Sequence, residues 1–102
     1  MHNPKEELNP RYKEAIIKAL EYHFPRAKII LFGSRARGSN QSGADIDIAI
    51  DTGSQLKLRD MSRARTTLEN LFIPLEVDLV DLHGISDELK QVIQNEGLLW
   101  KN

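Results

Sequence analysis

Seven consecutive residues, Asp45 to Asp51 (DIDIAID), alternate so that every second position is isoleucine. Period two belongs to a β-strand, whose successive side chains point to opposite faces. Ile46, Ile48 and Ile50 share one face of that strand. Asp45, Asp47, Ala49 and Asp51 share the other. A helix would scatter these residues around its circumference, so the segment admits a strand with one apolar face. Such a strand is not stable alone, and the rest of the chain must supply neighbours and a cover.

The cover is legible as helical spacing. Asn9-Pro10 reads as an N-cap followed by Pro at the first helical position. Tyr12, Ala15, Ile16, Ala19, Leu20 and His23 then give an amphipathic helix over 10–23, ended by Pro25. Leu58, Met61, Leu68, Leu71 and Phe72 fit a second helix at about 57–71. Ser86 caps a last helix with Leu89, Val92 and Ile93 as its apolar stripe, ended by Gly97. Neighbouring strands are expected at Lys28 to Phe32 (KIILF) and at Leu75 to Leu82 (LEVDLVDL), with a short final strand from Leu98 to Trp100. The reading is an α/β (α+β) domain in which helices flank a small mixed sheet. The helix between the second and third strands predicts a parallel pair with a right-handed crossover. The first connection, a loop over Gly33 to Ala44 with little helix in it, is compatible with antiparallel neighbours.

The length, 102 residues, fits one domain over 1–102. Fourteen basic residues against 15 acidic ones leave a net charge of −1, which gives no case for direct nucleic-acid binding. The absence of cysteine excludes a disulfide framework and a thiolate metal site. It suits a reducing cytosol. No apolar leader segment opens the chain, and no run approaches the roughly 20 residues that span a bilayer. A cytoplasmic protein without a membrane partner is expected.

Chemistry concentrates between Gly33 and Asp47. Gly33 permits a sharp turn and close backbone approach to a ligand. Ser34 can cap a helical turn whose backbone N–H groups face an anion, and Arg35 and Arg37 add positive charge. Taken alone, this is more simply a capping serine with two solvated arginines. Asp45 and Asp47 lie on one strand face with Cα atoms about 6.6–6.8 Å apart. Taken alone, they are more simply a solvent-facing strand edge. Asp78 alters the balance. If its strand neighbours the Asp47 strand, it lies about 4.8 Å away. Like charges about 5 Å apart repel by roughly 3 kcal/mol at an effective dielectric near 20. A proton, an arginine or a divalent cation has to compensate. Mg²⁺ is suited to such oxygen ligands together with substrate phosphates, and two metal ions would activate the attacking oxygen and stabilise the leaving one.

Gly33-Ser34, ten residues, then Asp45-Ile46-Asp47, with Asp78 in a VDLV context, resembles the nucleotidyltransferase superfamily that includes DNA polymerase β. The short chain and the GSRARG wording are similar to the minimal nucleotidyltransferases, the antitoxin half of HEPN/MNT modules. The resemblance runs from Ile29 to about Trp100. It implies the polymerase β-like fold and Mg²⁺-dependent transfer of AMP from ATP to a tyrosine hydroxyl of a HEPN toxin, an RNase, in a hetero-oligomer. It implies that Asp45, Asp47 and Asp78 hold two Mg²⁺ ions and carry catalysis, with Asp78 acting on the acceptor hydroxyl. It places Gly33 and Ser34 on the β- and γ-phosphates, with Arg35 and Arg37 on phosphate or partner. One departure is Ala44, where the family often has serine. Larger relatives carry a helical acceptor-binding domain; none is visible here, which puts the acceptor surface on a partner. Two other functions are compatible with the residues: a non-catalytic antitoxin acting by contact, and transfer to a small molecule.

The remaining polar residues read as structural. Asp51 is a turn residue, and Asp81 alternates away from Asp78. Asp60, Arg63 and Arg65 form a solvated helix face. His2, His23 and His83 lack metal-ligand spacing. Leu99 and Trp100 pack against the last helix.

Overall fold

The computed structural model describes residues 8–102, so His2 lies outside the described residues. The elements are α1 (Pro10–His23), β1 (Lys28–Phe32), α2 (Ser34–Arg37), β2 (Ile46–Asp51), α3 (Leu58–Glu69), β3 (Val77–Asp81), α4 (Asp87–Glu96) and β4 (Leu98–Lys101). They form a four-stranded sheet in the order β3-β2-β1-β4. The β1–β2 and β1–β4 pairs are antiparallel, and β2–β3 is parallel across the α3 crossover. Both pairings of β2 are present, so it is an inner strand.

Local chemistry accounts for the element ends. The Asn9 side chain accepts from Arg11 N–H, and Pro10 opens α1 at a position where its missing donor costs nothing. Ser86 accepts from Leu89 N–H at 3.2 Å, with Asp87 and Glu88 in the first turn of α4. The sequence overextends three elements. β2 begins at Ile46 rather than Asp45. β3 covers Val77–Asp81 rather than 75–82, although Glu76 O already accepts from Ile46 N–H at 2.8 Å. α3 ends at Glu69, so Leu71 and Phe72 lie beyond it; Leu71 packs on the core, while Phe72 and the first-turn Leu58 are exposed.

The sheet is covered on both faces. On one, α1 and α3 contribute Ile16, Leu20, Met61, Ala64 and Leu68 against Ile29, Leu31, Ile46, Ile48, Ile50 and Leu79, all buried. His23 of α1 joins Thr67 of α3 through a 2.7 Å hydrogen bond. On the other face, α4 buries Ile93 over Ala49 and Leu82, with Ile30, Phe32 and Val80 half-buried around them. The expected α4 stripe is therefore only partly core. Ile93 is covered, but Leu89 and Val92 are 38% and 45% exposed. Trp100 packs on the α1 side of the sheet rather than on α4, and Leu99 remains exposed. Arg65 is not merely solvated: its guanidinium donates to Leu79 O on the edge strand β3 at 3.2 and 2.9 Å. Among the described residues, no helix is long and apolar enough to cross a membrane.

Candidate active site

The mixed topology brings the end of β1 and the starts of β2 and β3 to one edge of the sheet. Asp47 is the second residue of β2 and Asp78 the second of β3, and the register pairs them directly. Their side chains therefore leave the same sheet face on strands about 4.8 Å apart. The adjacency on which the three-acid reading depended is present. Asp45, one residue before β2, is exposed, as is Asp78; Asp47 is half-buried. The Asp47 carboxyl sits above the ordinary aspartate range. Burial is the largest cause, the like charges of Asp78 and Asp45 add to it, and Arg37 and Arg35 offset only part.

Phe32 is the β1 partner of Asp47, so the chain leaves β1 beside that carboxylate. Gly33 turns it there with φ 76° and ψ −156°, a region essentially reserved for glycine. An added Cβ would stand 2.3 Å from Asp47 Oδ2. The loop backbone and the acid are thus in immediate contact. The N-cap of α2 is Gly33 rather than Ser34, and no side chain caps the turn. Gly33 O accepts from Ala36 and Arg37 N–H, both at 3.1 Å. Ser34 is the first helical residue, beside N–H groups that a helix start leaves without intrahelical partners.

The two arginines divide. Arg35 is 7% exposed, and its Nε and Nη2 donate to Ala44 O at 3.1 and 2.8 Å. It is not solvated; it ties α2 to the residue before Asp45. Arg37 is exposed and lies 3.7 Å from Glu96 of α4. Its charge still reaches Asp47. Arg35→Met should cost about 1.5–3 kcal/mol of stability, the worth of charge-assisted hydrogen bonds from a buried guanidinium to a half-buried acceptor. Urea denaturation checks this, and a change below 0.5 kcal/mol would contradict it.

Asp51 and Asp81 belong to the opposite end of the sheet. Asp51 accepts from Gly53 N–H at 2.9 Å and meets His83 Nε2 at 2.6 Å, while Lys90 Nζ lies 3.0 Å from His83 Nδ1. Burial alone would raise the Asp51 carboxyl, but the Gly53 N–H, His83 and Lys28 outweigh it and hold it low. Buried Asp81 accepts from Leu56 N–H at 2.7 Å and His83 N–H at 3.0 Å. These acids serve the fold. Sequence spacing gave no sign of the Asp51–His83–Lys90 chain, of the Arg37–Glu96 pair or of the Arg35 anchor.

Among the described residues, no three His, Cys, Asp or Glu side chains converge tightly enough to clasp a metal ion as they stand. The donor chemistry nevertheless fits a hard divalent cation. The cluster offers only carboxylate oxygens, its charges repel one another, and the two outer members are exposed and can rotate inward.

Residues 14–102 match the family model described as polymerase beta, nucleotidyltransferase. A candidate protein adenylyltransferase of Methanocaldococcus jannaschii is 33% identical over 91 residues, covering 89% of this chain and 95% of that protein. A toxin–antitoxin crystal structure with AMP-PNP superposes with a TM-score of 0.73 at 31% identity, covering 86% of this chain and 71% of the other. A tri-AMPylated Shewanella oneidensis HEPN toxin in complex with MNT antitoxin matches with a TM-score of 0.71 at 29% identity, covering 91% and 71%.

Proposed function

Because this chain belongs to the polymerase beta nucleotidyltransferase family, we propose that it transfers AMP from ATP to a hydroxyl of a partner HEPN toxin and acts as its antitoxin. The observation that carries this reading is the register that sets Asp78 beside Asp47, against the Gly33 turn. Similarity to a candidate protein adenylyltransferase, to a toxin–antitoxin pair with AMP-PNP and to a complex containing an AMPylated toxin supports it.

Residues 1–102 form a single nucleotidyltransferase domain in this reading, working in the cytoplasm as part of a hetero-oligomer. Asp45, Asp47 and Asp78 would hold Mg²⁺, which neutralises phosphate charge and polarises the reacting oxygens when bound. Gly33 lets the backbone approach the β- and γ-phosphates, and Ser34 adds a hydroxyl donor beside them. Arg37 is held to Glu96 by one long, exposed ion pair, so it can swing to the triphosphate at small cost. Arg35 holds the Ala44–Asp45 junction in place. The acceptor oxygen forms a bond to the α-phosphorus, the bond from that phosphorus to the bridging oxygen breaks, and pyrophosphate leaves. Asp78 takes the acceptor proton or orients the group that does.

The test is transfer of label from α-labelled ATP, with Mg²⁺, onto the product of the neighbouring gene, expected to be the HEPN protein. Label should appear on that protein and disappear with Asp78→Asn. Full neutralisation of the toxin by Asp78→Asn without any label would replace the enzyme with an antitoxin that acts by contact.

A further inference from the structure

α4 presents two different flanks to the two ends of the sheet. Lys90 lies on the His83–Asp51 chain, at the end remote from the acids. Glu96 pairs with Arg37, which follows the Gly33 turn at the acid end. At 3.6 residues per turn, Leu89 and Val92 fall on the Glu96 flank and away from Lys90. Both therefore face the end of the sheet where Asp47 and Asp78 project, from the same side of it, since α4 covers the face bearing Ala49 and Val80. Leu89 and Val92 are exposed although they share a helix with fully buried Ile93. α4 starts just after β3 and ends just before β4, so its early residue Leu89 stands toward the Asp78 strand and Glu96 toward α2.

We propose that Leu89 and Val92 form the ledge on which the acceptor segment of the partner protein docks. This rests on the nucleotidyltransferase reading. In-line displacement places the leaving pyrophosphate on the α2 side and the acceptor oxygen opposite it, on the Asp78 side, where Leu89 stands. Charge selects the occupant. Asp45, Asp47 and Asp78 lie at the same end of the sheet and Glu88 is exposed on α4, while Glu96 is balanced by Arg37 and the remaining cation there, Arg35, is buried. The complement is an apolar acceptor segment flanked by lysine or arginine. The cleft of about 460 Å³ along the β3 edge also reaches Asp78, which lines it together with Val77 and Leu79; unchanged partner affinity in a variant of the ledge would assign the acceptor segment to that cleft instead.

The experiment compares wild type, the double variant Leu89→Ser/Val92→Ser, and Phe72→Ser, an exposed apolar residue outside the ledge. Three quantities are measured: KM and kcat for transfer onto the adjacent HEPN protein, affinity for that protein by calorimetry, and affinity for Mg²⁺-AMP-PNP. The double variant should raise KM and weaken partner binding at least tenfold, with kcat and nucleotide affinity within threefold of wild type. Phe72→Ser should match wild type. Unchanged partner affinity in the double variant overturns the ledge, as does an effect of Phe72→Ser in its place. Loss of AMP-PNP affinity reassigns the ledge to the nucleotide. If no chain transfers label, the catalytic reading fails, and the calorimetric comparison still decides the ledge.

Discussion

Asp47→Asn will cut nucleotidyl transfer about a thousandfold or more and will at the same time raise the melting temperature of the metal-free protein at neutral pH. The first effect follows, in the proposed mechanism, from losing a ligand for the cation that would stabilise charge at the reacting phosphate, an interaction worth several kcal/mol. The second follows from the same carboxylate. Burial and the Asp78 and Asp45 charges hold the folded Asp47 pKa above its ordinary value. A carboxyl raised on folding destabilises the fold wherever it is ionised, so wild type regains stability as pH falls through that raised value. The advantage of asparagine is therefore greatest at neutral pH and vanishes below the unfolded aspartate pKa of about 3.9. Mg²⁺ should stabilise wild type more than the variant. Thermal melts across pH, with and without Mg²⁺, check all three statements. An asparagine variant less stable than wild type at pH 7 without metal would show that the acids do not strain the fold.

Gly33→Ala is expected to abolish transfer and to destabilise the domain by about 1–3 kcal/mol from backbone strain alone. The new methyl would also stand 2.3 Å from Asp47 Oδ2 and 3.1 Å from Asp47 Cγ. Either the carboxylate or the turn has to move, and the proposed site uses both. Gly43→Ala is the control: its φ is also positive, at 81°, but its methyl meets nothing within 4 Å. It should lose stability and keep most of its kcat. Removing the Asp47 side chain should relieve part of the clash, so Gly33→Ala and Asp47→Ala will be less than additive in stability. Additive losses would mean that the turn and the acid do not press on each other.

How far the sequence reads through depends on the range of the interaction. The alternation in DIDIAID, the Asn9-Pro10 and Ser86 caps and the helical link before Asp78 are local signals, and the strands, the helices and the parallel β2–β3 pair follow from them. Asp78 was reachable because strand parity and adjacency jointly predict its place. Arg35 and Arg65 were not. Each carries its charge at the end of a long stem to a carbonyl 9 or 14 residues away, and no spacing encodes such a bond. The α4 stripe misled for a related reason. Period 3.6 identifies an apolar flank, but its coverage depends on how far the sheet extends beneath the helix. Here only Ile93 finds cover, over Ala49 and Leu82, and Leu89 and Val92 remain exposed.

The Arg35 anchor also changes what the motif spacing means. Ten residues separate Ser34 from Asp45, which invites reading the loop as a ruler between the Gly33 turn and the acids. The ruler is instead the β1–β2 hairpin, which sets Phe32 opposite Asp47 whatever the loop contains. Arg35 grips Ala44 and closes the loop at its base. Residues 39–42 are thereby released from metric duty, and this segment can lengthen, shorten or change composition among descendants while the catalytic spacing stays constant.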